Sequence, residues 1–393
     1  MRPLVSVIIV NHNGAPFLED CLQSLETMNF PKEDLEILLV DNGSTDHSVS
    51  LAREKFRGVK VISLPENKGF AVPNNLAVRE GAGEIVAFLN NDTRVHPEWL
   101  SHLVRILRES EQYPCVGSKM LRWNGGEIDF AQGGISFAGH GKSIGSGARD
   151  GPDFSQRREI LFPCGGAMAV WKRVFLEAGG FDEDYFAYFE DVDFGWRLWV
   201  LGHKVALVPE SIVFHRGGAT SGKVKEEKKH FLDHRNALCT IYKNYDEKNL
   251  LRILPAALLA NITEAVSHGA FDSGSYRMNG PSPLNEKGRS FLKLGKAQFF
   301  LREILGLETM DRKTASRLLA IRDFVDLLPR MQQKRSEIQR KRARSDEEIF
   351  PLFLDPLNED ICPNERTALH NVLDILGVRK IFEEIPCAEL RES

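Results

Sequence analysis

The sequence predicts an α/β fold, a largely parallel sheet covered by helices on both faces, followed by a helical region. Over the first ninety residues, apolar runs of strand length alternate with amphipathic stretches of helical length. Strands that are apolar throughout belong to parallel sheets buried on both faces. From about Leu250 onward the pattern is helical instead, in LLRILPAALLANITEAV, FLKLGKAQFFLREIL and TASRLLAIRDFVDLL, each with one apolar face. The chain has 393 residues, more than the roughly 250–300 that one core usually serves. We therefore expect a main domain over residues 1–245 and a mainly helical region over 246–393.

LVSVIIV (4–10) reads as the first strand and APFLEDCLQSLETM (15–28) as the first helix. LEILLV (35–40) is the second strand, with a helix from Leu51 to Phe56. VKVISL (59–64) and EIVAFL (84–89) flank a helix over 70–80. The Gly-rich stretch 123–151 reads as loops and short irregular strands. Val170 to Ala178 reads as a helix capped by Gly179-Gly180. GWRLWVLG continues as helix to Gly202, KVALVP is a short strand, and 269–288 is a long loop.

A formal net charge of -4 makes no global case for nucleic-acid binding. The six cysteines are scattered singly with no CxxC pair, which argues against a zinc site and a disulfide framework. GKS at 141–143 lacks the glycine a phosphate-binding loop needs at 136, and GSGARDG at 145–151 fails the dinucleotide spacing. The sequons at Asn42, Asn91 and Asn261 read as chance matches. The N-terminus has no signal-peptide pattern. The apolar run LLRILPAALLANI is broken by Arg252 and Pro255 and is shorter than the ~20 residues that span a bilayer. We therefore expect a cytoplasmic protein whose membrane contact, if any, is peripheral at the inner face.

The chemistry gathers at strand ends. The first strand ends at Asn11-His12-Asn13, the second at Asp41-Asn42-Gly43 and the fourth at Asn90-Asn91-Asp92. Any one cluster is an ordinary turn. Three of them at the carboxyl ends of parallel strands share the rim where such sheets bind ligands.

A second cluster lies in GGFDEDYFAYFEDVDFGWRL, where acidic residues alternate with Tyr and Phe. Aromatic neighbours favour partial desolvation, which raises a carboxyl pKa, while a helix N-terminus opposes that shift. Glu190-Asp191 is the pair we single out, with Gly195 one turn on leaving room above Asp191. Arg197 stands at helical spacing from Asp193 and equally suits a structural ion pair. His215 precedes Gly217-Gly218, a loop able to bring an imidazole to a metal.

In order, VSVIIVNHNG, LLVDNGSTD, ENKGFAVPNN, FLNNDT, CGGAMAVWKRVF, GGFDEDYFAYFEDVDFGWRL and VFHRGG resemble the inverting family 2 glycosyltransferases, and among them the rhamnosyltransferase-like group. The resemblance covers roughly residues 3–245. It implies a GT-A fold: a nucleotide-binding, Rossmann-like mixed sheet flanked by helices, here with the helical C-terminal appendage. FLNNDT matches the DxD motif, which holds a divalent metal (Mg or Mn) against the donor diphosphate. Asn90 replaces the first aspartate and Asp92 keeps the last. One carboxylate suffices where phosphates and waters complete the coordination of Mg²⁺. The resemblance further implies Asp191 as catalytic base beside Glu190, and His215 completing the metal site with Asp92. Nucleotide contacts would come from Val10, Asn11, Asn13, Asp41, Lys68, Gly69, Asn90 and Asn91.

The expected reaction is transfer of a sugar from a nucleoside-diphosphate sugar, with dTDP-rhamnose suggested by the subgroup, to a hydroxyl of a glycan or lipid-linked saccharide. Two rivals are a sugar-phosphate nucleotidyltransferase, for which NHNGAPF lacks a basic Gly-rich loop, and a non-catalytic nucleotide-sugar-binding scaffold. The basic run at 330, 334, 335, 340, 341, 342 and 344 reads either as an anionic-lipid patch or as a solvated helix.

Overall fold

The computed structural model describes residues 4–217, 225–268, 312–353, 357 and 366–383. Strand β1 (Val5–Asn11), helix α1 (Ala15–Glu26), β2 (Leu35–Asn42), α2 (Ser48–Lys55), β3 (Val59–Leu64), α3 (Ala71–Glu80) and β4 (Ile85–Asn90) follow the expected alternation. The four strands lie parallel in the order β3-β2-β1-β4. Successive residues of β1 serve opposite faces: Ile8 joins Val40 and Phe88 in one core, while Val7 and Ile9 join Leu18, Leu22 and Trp99 in the other. The pairing of Asn11 with Asp41, and of Val10 with Asn90, sets the three polar clusters along one rim.

The remaining elements extend it into a mixed sheet and add a separate two-stranded hairpin. They are β5 (Thr93–Val95), α4 (Trp99–Glu109), β6 (Cys115–Arg122), β7 (Ile128–Phe130), the hairpin β8 (Gln132–Ile135) and β9 (Gly141–Ile144), β10 (Arg158–Glu159), β11 (Ala167–Trp171), α5 (Lys172–Glu177), α6 (Glu190–Val200) and β12 (Val205–His215). β11 inserts antiparallel between β4 and β6, and β12 runs parallel to β6. The helix expected from Val170 therefore begins only at Lys172. Ala167 to Val170 are fully buried between two strands, and that pairing decides the backbone. β12 likewise runs past KVALVP to His215, with a register shift between Val208 and Ile212 that accommodates Pro209.

After the sheet come α7 (Glu226–Asn244), α8 (Glu247–His268) and α9 (Arg312–Arg340). Pro255 lies inside α8 rather than breaking it. Among the described residues α8 is the one helix long and apolar enough to cross a membrane, over Glu247–Val266. It nevertheless buries Ile253, Ala256, Ala257 and Ala260 in the core shared with the sheet. The expected loop 269–288 and helix 291–305 lie outside the described residues. Trp196 of α6 meets Tyr245 edge-on at 4.8 Å and Phe353 at 5.0 Å between ring centroids, so the helical region and the sheet share one apolar core.

Most of the basic run is engaged within the protein. Arg335 donates to Tyr242 O and pairs with Glu247, Arg342 pairs with Asp346, and Arg344 donates to His203 O. Lys334 and Arg330 bind Asp184 at 2.7 and 2.5 Å. Arg340 and Lys341 are the exposed members left beside the paired Arg330, whereas recognition of an anionic membrane takes about 4–8 basic residues.

Phe353→Ala should cost about 3–5 kcal/mol, the usual range for emptying a buried aromatic site. Because the core is continuous, urea denaturation should shift as one transition. A second, unshifted transition would show that the helical region unfolds by itself.

Candidate active site

At the end of β1, the buried Asn11 donates from Nδ2 to Ser48 Oγ at 2.9 Å and to Ser44 Oγ at 3.2 Å. Its Oδ1 accepts from Asn91 Nδ2 at 2.8 Å. Gly14 is required here, since a Cβ would sit 2.2 Å from both Asn11 Oδ1 and Asn91 Nδ2. Asn13, at φ 53°, accepts from the Thr45 and Asp46 amides at 2.8 and 3.2 Å. These side chains were expected to touch a nucleotide. They clasp the β1, β2 and β4 loops together, and the half-buried Val10 stands beside them on the rim. Asp41 is buried and accepts from the Ser44 amide at 3.1 Å.

Asn42 positions the next loop. It accepts from Lys68 N at 2.8 Å and donates to Gly69 O at 2.7 Å. Gly69 (φ 82°) abuts the acidic segment so closely that a Cβ would lie 2.1 Å from Phe186 O. Lys68 points to Glu66 on the exposed side.

On β4, Asn90 packs against Gly166, where a Cβ would come within 2.4 Å of Asn90 Cγ. Asp92, buried, approaches His215 Nε2 at 3.3 Å, and His215 Nδ1 bonds Asp129 Oδ2 at 2.8 Å. Burial works to lower the imidazole pKa, but Asp129 and Asp92 raise it to about 9. Asp129 went unnoticed in the sequence because a single acid inside a short irregular strand carries no signal. A carboxylate in this position fixes the orientation of the imidazole, as it would if His215 released its proton to a metal.

A divalent cation fits this donor set. Asp92 and His215 converge, Asp129 supports the imidazole, and an Mg²⁺-type ion needs few protein ligands when phosphates share its coordination. Among the described residues, no three His, Cys, Asp or Glu side chains form a cage by themselves, so the donor diphosphate would have to supply the rest.

Asp191 is the second residue of α6. Its Oδ2 accepts from Gly165 N and its Oδ1 from Val192 N, both at 2.8 Å. Burial raises its pKa while those two amides oppose the rise. Glu190 is pushed up further by burial and by Asp191. Its Oε2 is buried with no hydrogen-bond partner among the described residues. The pair opens on a pocket of about 230 Å³ lined by Phe130, Phe162, Tyr188, Phe189 and Asp233. Cys164 feels the charges of Asp191, Asp129 and Glu190 together, which places the Asp129–His215 cluster and the carboxylate pair around one region.

The expected space at Gly195 is absent: a Cβ there would lie 2.4 Å from Phe162 Cβ, so the glycine serves close packing of α6. Gly165 is the glycine facing Asp191, with its virtual Cβ at 3.1 Å from Asp191 Cβ. The other acidic residues of the segment are structural. Asp193 pairs with Arg197 at 2.8 Å and Lys243 at 2.9 Å, and Asp182 pairs with Lys243 at 2.5 Å.

The comparisons agree with this architecture. Residues 6–178 match the family model described as Glycosyl transferase family 2. The chain is 26% identical over 245 residues to the N-acetylglucosaminyl-diphospho-decaprenol L-rhamnosyltransferase of Mycobacterium tuberculosis, covering 57% of this chain and 79% of that protein. It is 34% identical over 101 residues to glycosyltransferase AglE of Haloferax volcanii, covering 25% and 33% of the two chains. The match thus spans a third or less of the first curated relatives. Among solved structures, S. aureus TarS 1-349 in complex with UDP-GlcNAc aligns with a TM-score of 0.51 at 19% identity, over 98% of this chain and 91% of that one. GalNAc-T7 with UDP, GalNAc and Mn²⁺ aligns with a TM-score of 0.52 at 19% identity, over 65% and 51%. Residues 6–178 thus resemble the family 2 glycosyltransferases, and the chain has the mixed α/β GT-A fold of these solved structures.

Burial works against ionising Asp182, yet Lys243 and Lys334 hold its carboxyl well below the usual aspartate range. Its stabilising effect is therefore complete above the unfolded value of about 3.9 and is lost as pH falls below it. Asp182→Asn should cost about 3 kcal/mol at pH 7. It should also flatten the loss of stability below about pH 4, as denaturant melts at both pH values would register.

Proposed function

We propose that this chain is an inverting, metal-dependent glycosyltransferase moving a sugar from a nucleoside-diphosphate sugar to a hydroxyl of a glycan or lipid-linked acceptor. The observation that carries the proposal is Asp191, held by two backbone amides at the mouth of an aromatic pocket, beside the Asp92–His215–Asp129 cluster.

The nucleoside would lie along the rim from Val10 to Asp41, with Lys68 and Gly69 bordering it. Asp92 and His215 would hold the divalent ion, which stabilises charge on the departing diphosphate. The acceptor would occupy the pocket, its ring against Phe130 and Tyr188. Asp191 takes the proton from the acceptor hydroxyl, whose oxygen attacks the anomeric carbon opposite the diphosphate. The two amides prevent Asp191 from swinging away, and its raised pKa makes it a stronger base.

Glu190 and Asp233 add carboxyl groups to the same pocket, and burial lifts Asp233 to about 6. Such a wall favours hydroxyls over phosphates at this position. The name of the N-acetylglucosaminyl-diphospho-decaprenol L-rhamnosyltransferase relative supports a lipid-linked acceptor and a rhamnosyl donor, for which the sequence resemblance suggests dTDP-rhamnose.

Asp191→Asn should lower turnover by about two orders of magnitude or more while nucleotide binding persists. Since the base must be ionised, wild-type turnover should rise with pH through an apparent value above the ordinary aspartate range. That value belongs to the Glu190–Asp191 pair. Retention of anomeric configuration in the product, followed by NMR, would contradict the single displacement. Asp92→Ala should cancel the affinity gain that Mn²⁺ or Mg²⁺ gives UDP or dTDP, by about tenfold or more, as titration calorimetry with and without metal would measure.

A further inference from the structure

The backbone preceding the carboxylate pair is strained. Phe186, Tyr188 and Phe189 have φ of 63°, 67° and 71°. Bulky side chains seldom occupy positive φ, and such conformers persist only where surroundings impose them. Phe189 is the N-cap of α6, so these three residues set the direction in which Glu190 and Asp191 leave the turn.

One side chain imposes most of this shape. Asn236 of α7 is fully buried, and its Nδ2 donates to Tyr188 O at 2.8 Å, Ala187 O at 3.0 Å and Tyr185 O at 3.2 Å. Its amide orientation is fixed by Arg235, whose Nε donates to Asn236 Oδ1 at 3.0 Å. The Arg235 guanidinium also donates to Asp184 O and Tyr185 O at 2.9 and 3.0 Å, and pairs with Asp323 of α9 at 2.9 Å. On the opposite side, Phe70 N donates to Phe186 O at 2.5 Å. The turn is thus gripped between the nucleotide-side loop and helices outside the family-matched residues 6–178.

We propose that Asn236, oriented by Arg235, is a positioning residue for Asp191. It holds the left-handed turn so that the carboxylate meets the acceptor hydroxyl, without itself lining the pocket. The proposal rests on the glycosyltransferase reading above, but the clamp can be tested without it.

In the full chain, Asn236→Asp keeps the shape and replaces the donor by an acceptor facing three carbonyls; Asn236→Ala removes the side chain. Hydrogen exchange followed by mass spectrometry should accelerate about tenfold or more over residues 184–192 and stay unchanged over β1 and β2. Hydrolysis of nucleotide sugars (UDP-GlcNAc and dTDP-rhamnose as probes) should lose about ten- to hundredfold in kcat, with KM within about twofold. Arg235→Lys keeps a cation near Asp323 but loses the fork, and should shift both readouts the same way to a smaller extent. It serves if the Asn236 variants do not fold. Unchanged exchange over 184–192 overturns the clamp. Faster exchange with unchanged kcat, or a change confined to KM, overturns the positioning role. A wild-type protein inactive on every nucleotide sugar would instead remove the glycosyltransferase reading, and the exchange result would still decide the clamp.

Discussion

The hydrogen bond from the Gly165 amide to Asp191 Oδ2 joins two parts of the chain that nothing local connects. It exists because β11 returns antiparallel beside β4, setting Gly166 against Asn90 and Gly165 against α6. Side chains at 165 or 166 would push the carboxylate or the Asn90 amide out of place. The proposed base and the end of β4 are therefore held at a spacing fixed by strand pairing, which is stiffer than any loop. A reaction that needs an acceptor hydroxyl and an anomeric carbon in line depends on that stiffness.

Around this contact the acidic segment divides its labour. Asp182, Asp184 and Asp193 bind Lys243, Lys334, Arg330 and Arg197, and so tie the segment to α7, α9 and α6. Among the described residues Glu190 and Asp191 have no such cation, and they face the pocket instead. The difference is what tunes them: cations lower the carboxyl pKa of Asp182, while desolvation without a counter-charge raises those of Glu190 and Asp191. Ion-paired and pocket-facing carboxylates sit within a dozen residues and are told apart by their partners.

The C-terminal helices belong to this arrangement. α7 and α9 supply the cations and the amide that shape the acidic segment, and their apolar faces merge with the core beneath the sheet. A basic run that suggested an anionic surface is mostly absorbed by protein carbonyls and carboxylates.

The sequence by itself determined the sheet's parallel half, the rim of Asn and Asp at its carboxyl ends, and the Glu190-Asp191 pair. Continuous apolar strands and turn-forming residues are local signals that survive any context. Only the tertiary structure decided that Ala167–Trp171 is a strand, that Asn11, Asn13 and Asn91 hydrogen-bond between loops, and that Asp129 bonds His215, Gly165 bonds Asp191 and Asn236 bonds the turn before Glu190. It also assigned Gly195 to packing and Gly165 to the carboxylate. Each of those outcomes turns on a partner distant in the chain, whose hydrogen bond or close approach overrides local preference and leaves no trace in spacing or composition.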